Sequence, residues 1–360
     1  MKLKVTTLSP IHVGTGEIVP RYLYHNEGDL IHRYKLDDIL FNLQSNKKMS
    51  IDDFLNLRLD ENDGQAKSRI IGVFKNKINY QQIQPIYSIY DYGDETNNDI
   101  KEQIKSLSKA YIPGSSLKGA IMNAIIYHLI KTKIEMAIKY VKDNGSFNQL
   151  LNHLYGHRFE QAMEYYRQCI YCRDIFFDGN LMILCHSERL NLSDAFEDYE
   201  CIYYNQIAEG EFVVLDEFKE KIFKQRYDYY YDQYFKSLFS INTLFTYIND
   251  FYNDMCEEDR NYFEKNIVGF DKSGFFPEVE KKSECILRIG NSTNYFYKTV
   301  SLLFKNYDFD FYKDNFTLFA PAKLELRNSP EPETMPKTRM IFEFNQTYYL
   351  PGLMKIEKCE

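Results

Sequence analysis

Residues Tyr111–Ile125 read YIPGSSLKGAIMNAI. A Pro-Gly-Ser-Ser turn runs straight into a helix whose single charge near its start is Lys118. Gly114 and Gly119 are spaced as in a phosphate-binding P-loop. However, Ala120 and Ile121 stand where a nucleotide site needs Lys and Ser/Thr to reach phosphate and Mg²⁺, so NTP hydrolysis is excluded. What remains is a helix start. Ser115 or Ser116 reads as the N-cap, and the remaining unpaired N–H groups carry roughly half a positive charge from the helix dipole. Gly114 would let a ligand backbone approach, and Lys118 lies in the first turn, an arrangement that suits a phosphodiester. Leu117, Ile121, Ala124 and Ile125 form an apolar face that anchors the helix to a core. A capped core helix with Lys118 in solvent would read the same way, and the residues alone leave both open.

The chain around this stretch has 360 residues, enough for two ordinary domains or one large one. With 44% hydrophobic and 27% charged residues it can bury a core. It has no Trp but 31 Tyr and 27 Phe, which serve cores and flat contact surfaces alike. A net charge of −8 does not advertise a nucleic-acid binder, but the charge is segregated. Residues 101–142 hold eight Lys and two Glu, and residues 190–220 hold nine acidic residues and one Lys. Such halves suit a phosphate chain on one side and a basic partner on another, or two solvated helix faces. Seven scattered Cys, an odd number, fit free thiols in a reducing compartment. Cys169-x-x-Cys172 lacks a second half for a zinc site, since Cys185 and His186 are adjacent, so no metal and no cofactor is expected. Asn123, His128 and Lys131 interrupt the longest apolar run, so no membrane span is expected and the expected location is cytoplasmic.

Along the chain, the alternation of Leu3, Val5 and Thr7 predicts a half-buried strand ending at Ser9-Pro10. Residues 22–24 and 30–34 predict a hairpin turning near Gly28. Short helices are expected over 36–43 and 51–59, and an edge strand over 83–90, marked by Pro85. One helix is predicted from about Ser115 to Val141, and another over 147–167, broken near Gly156. Residues 170–177 and 181–185 predict a hairpin about Asp178-Gly179-Asn180, and 201–206 with 211–215 a strand pair about Gly210. Residues 217–265 have helical composition. A strand over 285–290, a helix over 293–304 and strands from Met340 onward complete the chain. Hairpins mixed with helices imply an α+β fold. The expected division is 1–168, with a helical insertion, and 169–360, with a second insertion near 217–265.

Two further motifs carry polar chemistry. His12-Val13-Gly14-Thr15-Gly16 follows the first strand. The third glycine of a dinucleotide fingerprint is missing and Pro20 argues against a helix there. His12 could serve as a general acid or base for RNA cleavage, but no partner is marked; packing of the turn or stacking on a ligand is the alternative. Arg288 to Thr299 reads as strand, polar loop and helix, with Asn, Ser and Thr as phosphate donors and Tyr295 or Tyr297 as a stacking face. Lys337 and Arg339 add cations before the strand that follows. No Ser–His–Asp order, HExxH or EF-hand spacing is present, so no catalytic set is visible.

In this order, LSPIHVGTGE, YIPGSSLKGAI, ILRIGNSTNYFYKTV and PKTRMIFE resemble the RAMP superfamily of CRISPR effector proteins, and within it the fifth-subunit family of type III-A Csm complexes. The resemblance implies a modified ferredoxin-like (RRM-related) core with an antiparallel sheet and large helical insertions. It implies a non-catalytic subunit that contacts the 3′ part of the CRISPR RNA (crRNA) at the end of a filament of backbone subunits. Such a subunit is needed for crRNA maturation and complex assembly in antiviral defence. The implied partners are crRNA, the other Csm subunits (the backbone RAMP subunit above all) and a recruited trimming nuclease. Matched to the family's motifs, the RNA-binding residues are His12, Gly14, Gly16, Gly114, Ser115, Ser116, Lys118, Arg288, Gly290, Tyr295, Lys298, Thr299, Lys337 and Arg339. The sequence departs from the family where Asn291–Phe296 replaces several glycines and a Trp, with Tyr295 as the substitute aromatic, and where Met122 replaces an Arg. The alternatives are a metal-independent RAMP endoribonuclease using His12 and a pure assembly protein.

Overall fold

A computed structural model describes residues 1–57, 64–91, 98–179, 181–190, 196–266, 275–293, 295–319 and 339–359, excepting the side chains of 64–68 and 266. The N-terminal strand Leu3–Thr7 forms as its alternation predicts, with Leu3, Val5 and Thr7 buried and Lys4 and Thr6 half-buried. It lies inside a four-stranded antiparallel sheet ordered Ile207–Gly210, Leu3–Thr7, Leu353–Lys358, Glu284–Arg288. Leu3 pairs with Lys358 and Thr7 with Met354, so the two ends of the chain are neighbours in one ladder. The long helix Ile241–Asn266 packs on the Glu284–Arg288 strand and on the helix Gly114–Lys131.

The larger sheet has nine strands. Its main path runs Gly14–Val19, Ile100–Gln103, Glu197–Ile202, Met182–Arg189, Tyr87–Tyr90, Leu30–Arg33, Tyr24–Glu27; Met340–Phe344 pairs with Met182–Arg189 and with Thr347–Tyr349. The path curls. Glu200, fully buried, accepts from the hydroxyls of Tyr24 (2.8 Å) and Tyr87 (2.7 Å) and from the Gln103 N–H (3.1 Å), and it pairs with Lys105. A carboxylate is tolerated in such a place only with its lone pairs filled. Both sheets take strands from either side of residue 168. The α+β class is as expected.

Several local expectations are corrected. The helix expected to run to Val141 breaks into Gly114–Lys131 and Ile134–Asn144. At the break the Thr132 hydroxyl donates to the Leu129 carbonyl at 2.8 Å, a side chain competing for the helix's own acceptors. The strand after Pro85 begins only at Tyr87 and is interior, bonded to Leu30–Arg33 on one side and to Ile183 on the other. The hairpin expected about residues 178–180 does not form, and Asn180 lies outside the described residues. Instead Ile170–Cys172 pairs with Val213–Leu215, and Ile175–Phe176 with Tyr111–Ile112. Nor do 201–206 and 211–215 pair with each other: Glu197–Ile202 pairs with Met182–Arg189, and Ile207–Gly210, which includes the expected turn, is itself a strand on the N-terminal strand.

Candidate functional site

Three of the quoted stretches meet in one cleft of about 670 Å³. One wall is the loop and strand from His12 to Ile18. A second is one flank of the Gly114–Lys131 helix, presenting Ser116, Gly119, Ala120 and Asn123. The third runs from Arg288 to Lys298. Hydrogen bonds to backbone carbonyls lock the walls together. The Asn291 N–H donates to the His12 carbonyl at 2.8 Å, and the Asn123 amide donates to the Tyr297 carbonyl at 3.1 Å. Gly290 has φ +95° and lies so close to His12 that a Cβ there would sit 2.3 Å from the His12 carbonyl oxygen. Only glycine closes this junction.

The tip of the helix differs from the sequence expectation. Pro113, not Ser115 or Ser116, holds the N-cap position, and no side chain caps the helix. The Ser116 and Leu117 N–H groups fold back on the Pro113 carbonyl at 2.9 and 3.2 Å. The Gly114 N–H donates to Asp174 Oδ1 at 2.8 Å, so the chain's own carboxylate stands where a phosphodiester was expected. A Cβ on Gly114 would lie 2.2 Å from the Cys172 carbonyl oxygen; the glycine is required by the protein's own backbone. Ser115 is exposed, and Lys118 lies outside the cleft, its charge felt by the thiols of Cys169 and Cys172. By contrast a Cβ on Gly119 meets nothing within 4 Å. The open surface is therefore the helix flank, and Ser116, Gly119, Ala120 and Asn123 share it because side chains three and four residues apart stack on one face.

The electrostatics of the cleft rest on few groups. The Lys298 ammonium finds no hydrogen-bond or carboxylate partner among the described residues. Partial withdrawal from water, and then the like charge of Arg288, hold its pKa below the usual lysine value. Arg288 lines the cleft but is tied inward: Nε donates to the Pro351 carbonyl at 2.8 Å, a terminal nitrogen to Asp259 Oδ2 at 3.0 Å, and its plane lies 4.6 Å from the Tyr297 ring centroid. Arg339 shares the same carboxylate, Nε to Asp259 Oδ1 at 2.7 Å, and is buried outside the cleft. Lys101 reaches the cleft while paired with Glu197 at 2.8 Å. Glu17 is the carboxylate in the lining.

Gly14, Gly16 and Gly290 line the cleft as well. His12 also does, but it is 2% exposed; its Nδ1 lies 2.7 Å from the Glu200 carbonyl and its Nε2 against Gly14. Burial pushes its pKa down to about 4, so it is neutral near pH 7. Tyr295 is half-buried against the core and lies outside the cleft; Tyr297 takes the lining position. The Thr299 hydroxyl is 2.6 Å from that of Ser301 and is also outside. Lys337 lies outside the described residues.

The segregated charge is largely spent inside the protein. Lys131 pairs with Asp254, Lys142 with Asp308, and Glu197 with Arg189 as well as Lys101, while Asp216 caps the helix Glu217–Arg226. Reading the sequence by charge missed Gly119, Ala120 and Asn123. Their uncharged character at spacings of three, four and seven from Ser116 was the signal.

Comparison with known proteins agrees with this architecture. The model of the RAMP superfamily matches residues 4–297. A curated relative from Methanocaldococcus jannaschii, the CRISPR system protein Csm5, is 28% identical over 148 residues, 40% of this chain and 35% of the relative. The match thus spans about a third of that relative's length. Among solved structures, a chain of a Csm–crRNA–target RNA ternary complex of a type III-A CRISPR–Cas system aligns with TM-score 0.73 at 19% identity, over 99% of this chain and all of that one. Csm5 of T. onnurineus aligns with TM-score 0.61 at 16% identity, over 98% and 99% of the two chains. With the superfamily model spanning both the first wall of the cleft and most of its third, this chain belongs to the RAMP superfamily.

Proposed function

We propose that this chain is a non-catalytic RNA-binding subunit of a type III-A Csm complex, holding the 3′ part of the crRNA in the cleft and serving crRNA maturation and assembly in antiviral defence. The observation that carries the reading is the convergence of three stretches, widely separated in sequence from one to the next, on a single open groove. The groove offers small side chains, loop amides and the ammonium of Lys298. Such a surface takes hold of sugar and phosphate and carries no base code, as a protein that must accept any guide sequence requires. Its similarity to a chain of a Csm–crRNA–target RNA complex and to Csm5 proteins supports the same assignment. A nuclease built on His12 is disfavoured by its burial, its neutral state and its engaged Nδ1. Crosslinking of photoreactive crRNA in the assembled complex, with mapping of the adducts, tests the reading. Adducts within 13–18, 116–123 and 288–298 are expected; adducts confined to other surfaces overturn it.

A further inference from the structure

One polar atom of the cleft is out of keeping with a surface that meets phosphate alone. Asn123 is half-buried on the open flank of the Gly114–Lys131 helix, a turn beyond Gly119 and two beyond Ser116. Its Nδ2 donates to the Tyr297 carbonyl at 3.1 Å. A backbone carbonyl only accepts, so this bond fixes which end of the amide is nitrogen and which is oxygen. Oδ1 is therefore an acceptor with two lone pairs. It takes a hydrogen bond from no group among the described residues, and it is not sealed from solvent. The helix neighbours Met122, Ala124 and Tyr127 are buried, so the side on which Asn123 meets solvent is the cleft that it lines. The approach is clear. Gly119, four residues back on the same face, has no side chain, and Ala120 adds only a methyl group.

A bare acceptor oxygen has nothing to offer a phosphate, which carries acceptors of its own. The sugar–phosphate backbone of RNA has one hydrogen-bond donor, the ribose 2′-hydroxyl, and that of DNA has none. Base edges carry N–H donors too, but a groove that must accept any guide sequence cannot depend on one, whereas the 2′-hydroxyl is present at every nucleotide. In the strand that hydroxyl neighbours the 3′-phosphate. In the wall, Tyr297, whose carbonyl Asn123 holds, is followed by Lys298, which lines the same cleft and suits that phosphate. Resting on the assignment of the cleft to RNA, we propose that Asn123 Oδ1 accepts a hydrogen bond from a ribose 2′-hydroxyl, so that the cleft selects RNA over DNA while reading no base.

Fluorescence anisotropy of the full chain with labelled oligouridylate, its all-2′-deoxy form and its all-2′-fluoro form tests this. Fluorine keeps the RNA-like sugar pucker and removes the donor, so the fluoro strand separates hydrogen-bond donation from shape. The wild-type protein is expected to bind the ribose strand about 2- to 10-fold more tightly than either analogue, the worth of one hydrogen bond. Asn123→Ala is expected to lose that factor toward the ribose strand and to bind the fluoro strand as the wild type does. Loss of the bond to Tyr297 alone would weaken every strand by one factor. Equal binding of ribose and fluoro strands by the wild-type protein, a comparison that needs no variant to fold, overturns the inference. So does an Asn123→Ala protein that weakens every strand alike or keeps the full ribose preference. Gly119→Glu distinguishes this from failure of the crRNA assignment. If it weakens ribose and fluoro strands while Asn123→Ala spares the ribose preference, the cleft binds RNA and the role of Asn123 alone falls. If it weakens neither, the cleft is not the RNA path and both fall.

Discussion

Gly119 allows fold and RNA contact to be separated. It sits in the second turn of the Gly114–Lys131 helix, exposed, at the edge of the cleft, and a Cβ added there meets nothing within 4 Å. Glycine inside a helix is less favourable than alanine by about 0.5–1 kcal/mol. Gly119→Ala is therefore expected to stabilise the protein by that amount, a rise in melting temperature of roughly 2 °C. Gly119→Glu is also expected to fold, since Glu is a better helix former than Gly. It places a carboxylate where the backbone of the RNA is proposed to run. Two like charges about 5 Å apart repel by about 0.8 kcal/mol in water and about 3 kcal/mol at the effective dielectric of a protein surface. Binding of single-stranded RNA is thus expected to weaken by a factor of about 4 to 150. Fluorescence anisotropy with labelled RNA at several salt concentrations, alongside thermal melts by circular dichroism, reads both effects. If Gly119→Glu melts like the parent and binds RNA equally well, the cleft is not the RNA path.

Four other outcomes follow from the same geometry. Lys298→Ala is expected to flatten the slope of log K against log salt by about 0.7, the value for one contact to a single strand, whereas Lys118→Ala leaves it unchanged. Gly114→Ala drives a methyl group into the Cys172–Arg173 backbone and is expected to lower stability by roughly 1–3 kcal/mol, read from the urea midpoint. His186 lies between Asp198 and Asp91, and their hydrogen bonds and charges overcome the opposing effect of burial and raise its pKa to about 10. Its contribution is therefore full below about pH 6.5 and lost as pH rises toward 10, so the stability gap between wild type and His186→Gln should shrink across that window. Precursor RNA incubated with the protein in EDTA is expected to stay intact, and a site-specific cut abolished by His12→Ala would restore the nuclease reading.

What was legible in the sequence was local. Leu3, Val5 and Thr7 announced their strand, Gly28 its turn and Gly156 its helix break, because alternation and backbone freedom are properties of neighbours. The motifs that meet in the cleft were legible as motifs. Their joint geometry was not, since it depends on contacts such as Asn291 to His12 across nearly three hundred residues. Pro-Gly-Ser-Ser marked the helix start correctly and misled about its tip, because nothing near residue 114 in sequence reveals that Asp174 will stand there. Arg288 and Arg339 read as surface cations for the same reason: Asp259, which holds both, lies on a distant helix. The acidic run read as a face for a partner, yet Asp198 and Glu200 are interior.

The pairing of Leu3–Thr7 with Leu353–Lys358 has a consequence for biosynthesis. A ribosome adding ~5–20 residues per second makes the second of these strands roughly 20–70 s after the first. Until then the first strand's hydrogen-bonding edge and the apolar side of Leu3 and Val5 have no permanent cover on that side, so the nascent protein must shield them from other chains until the second strand has been made.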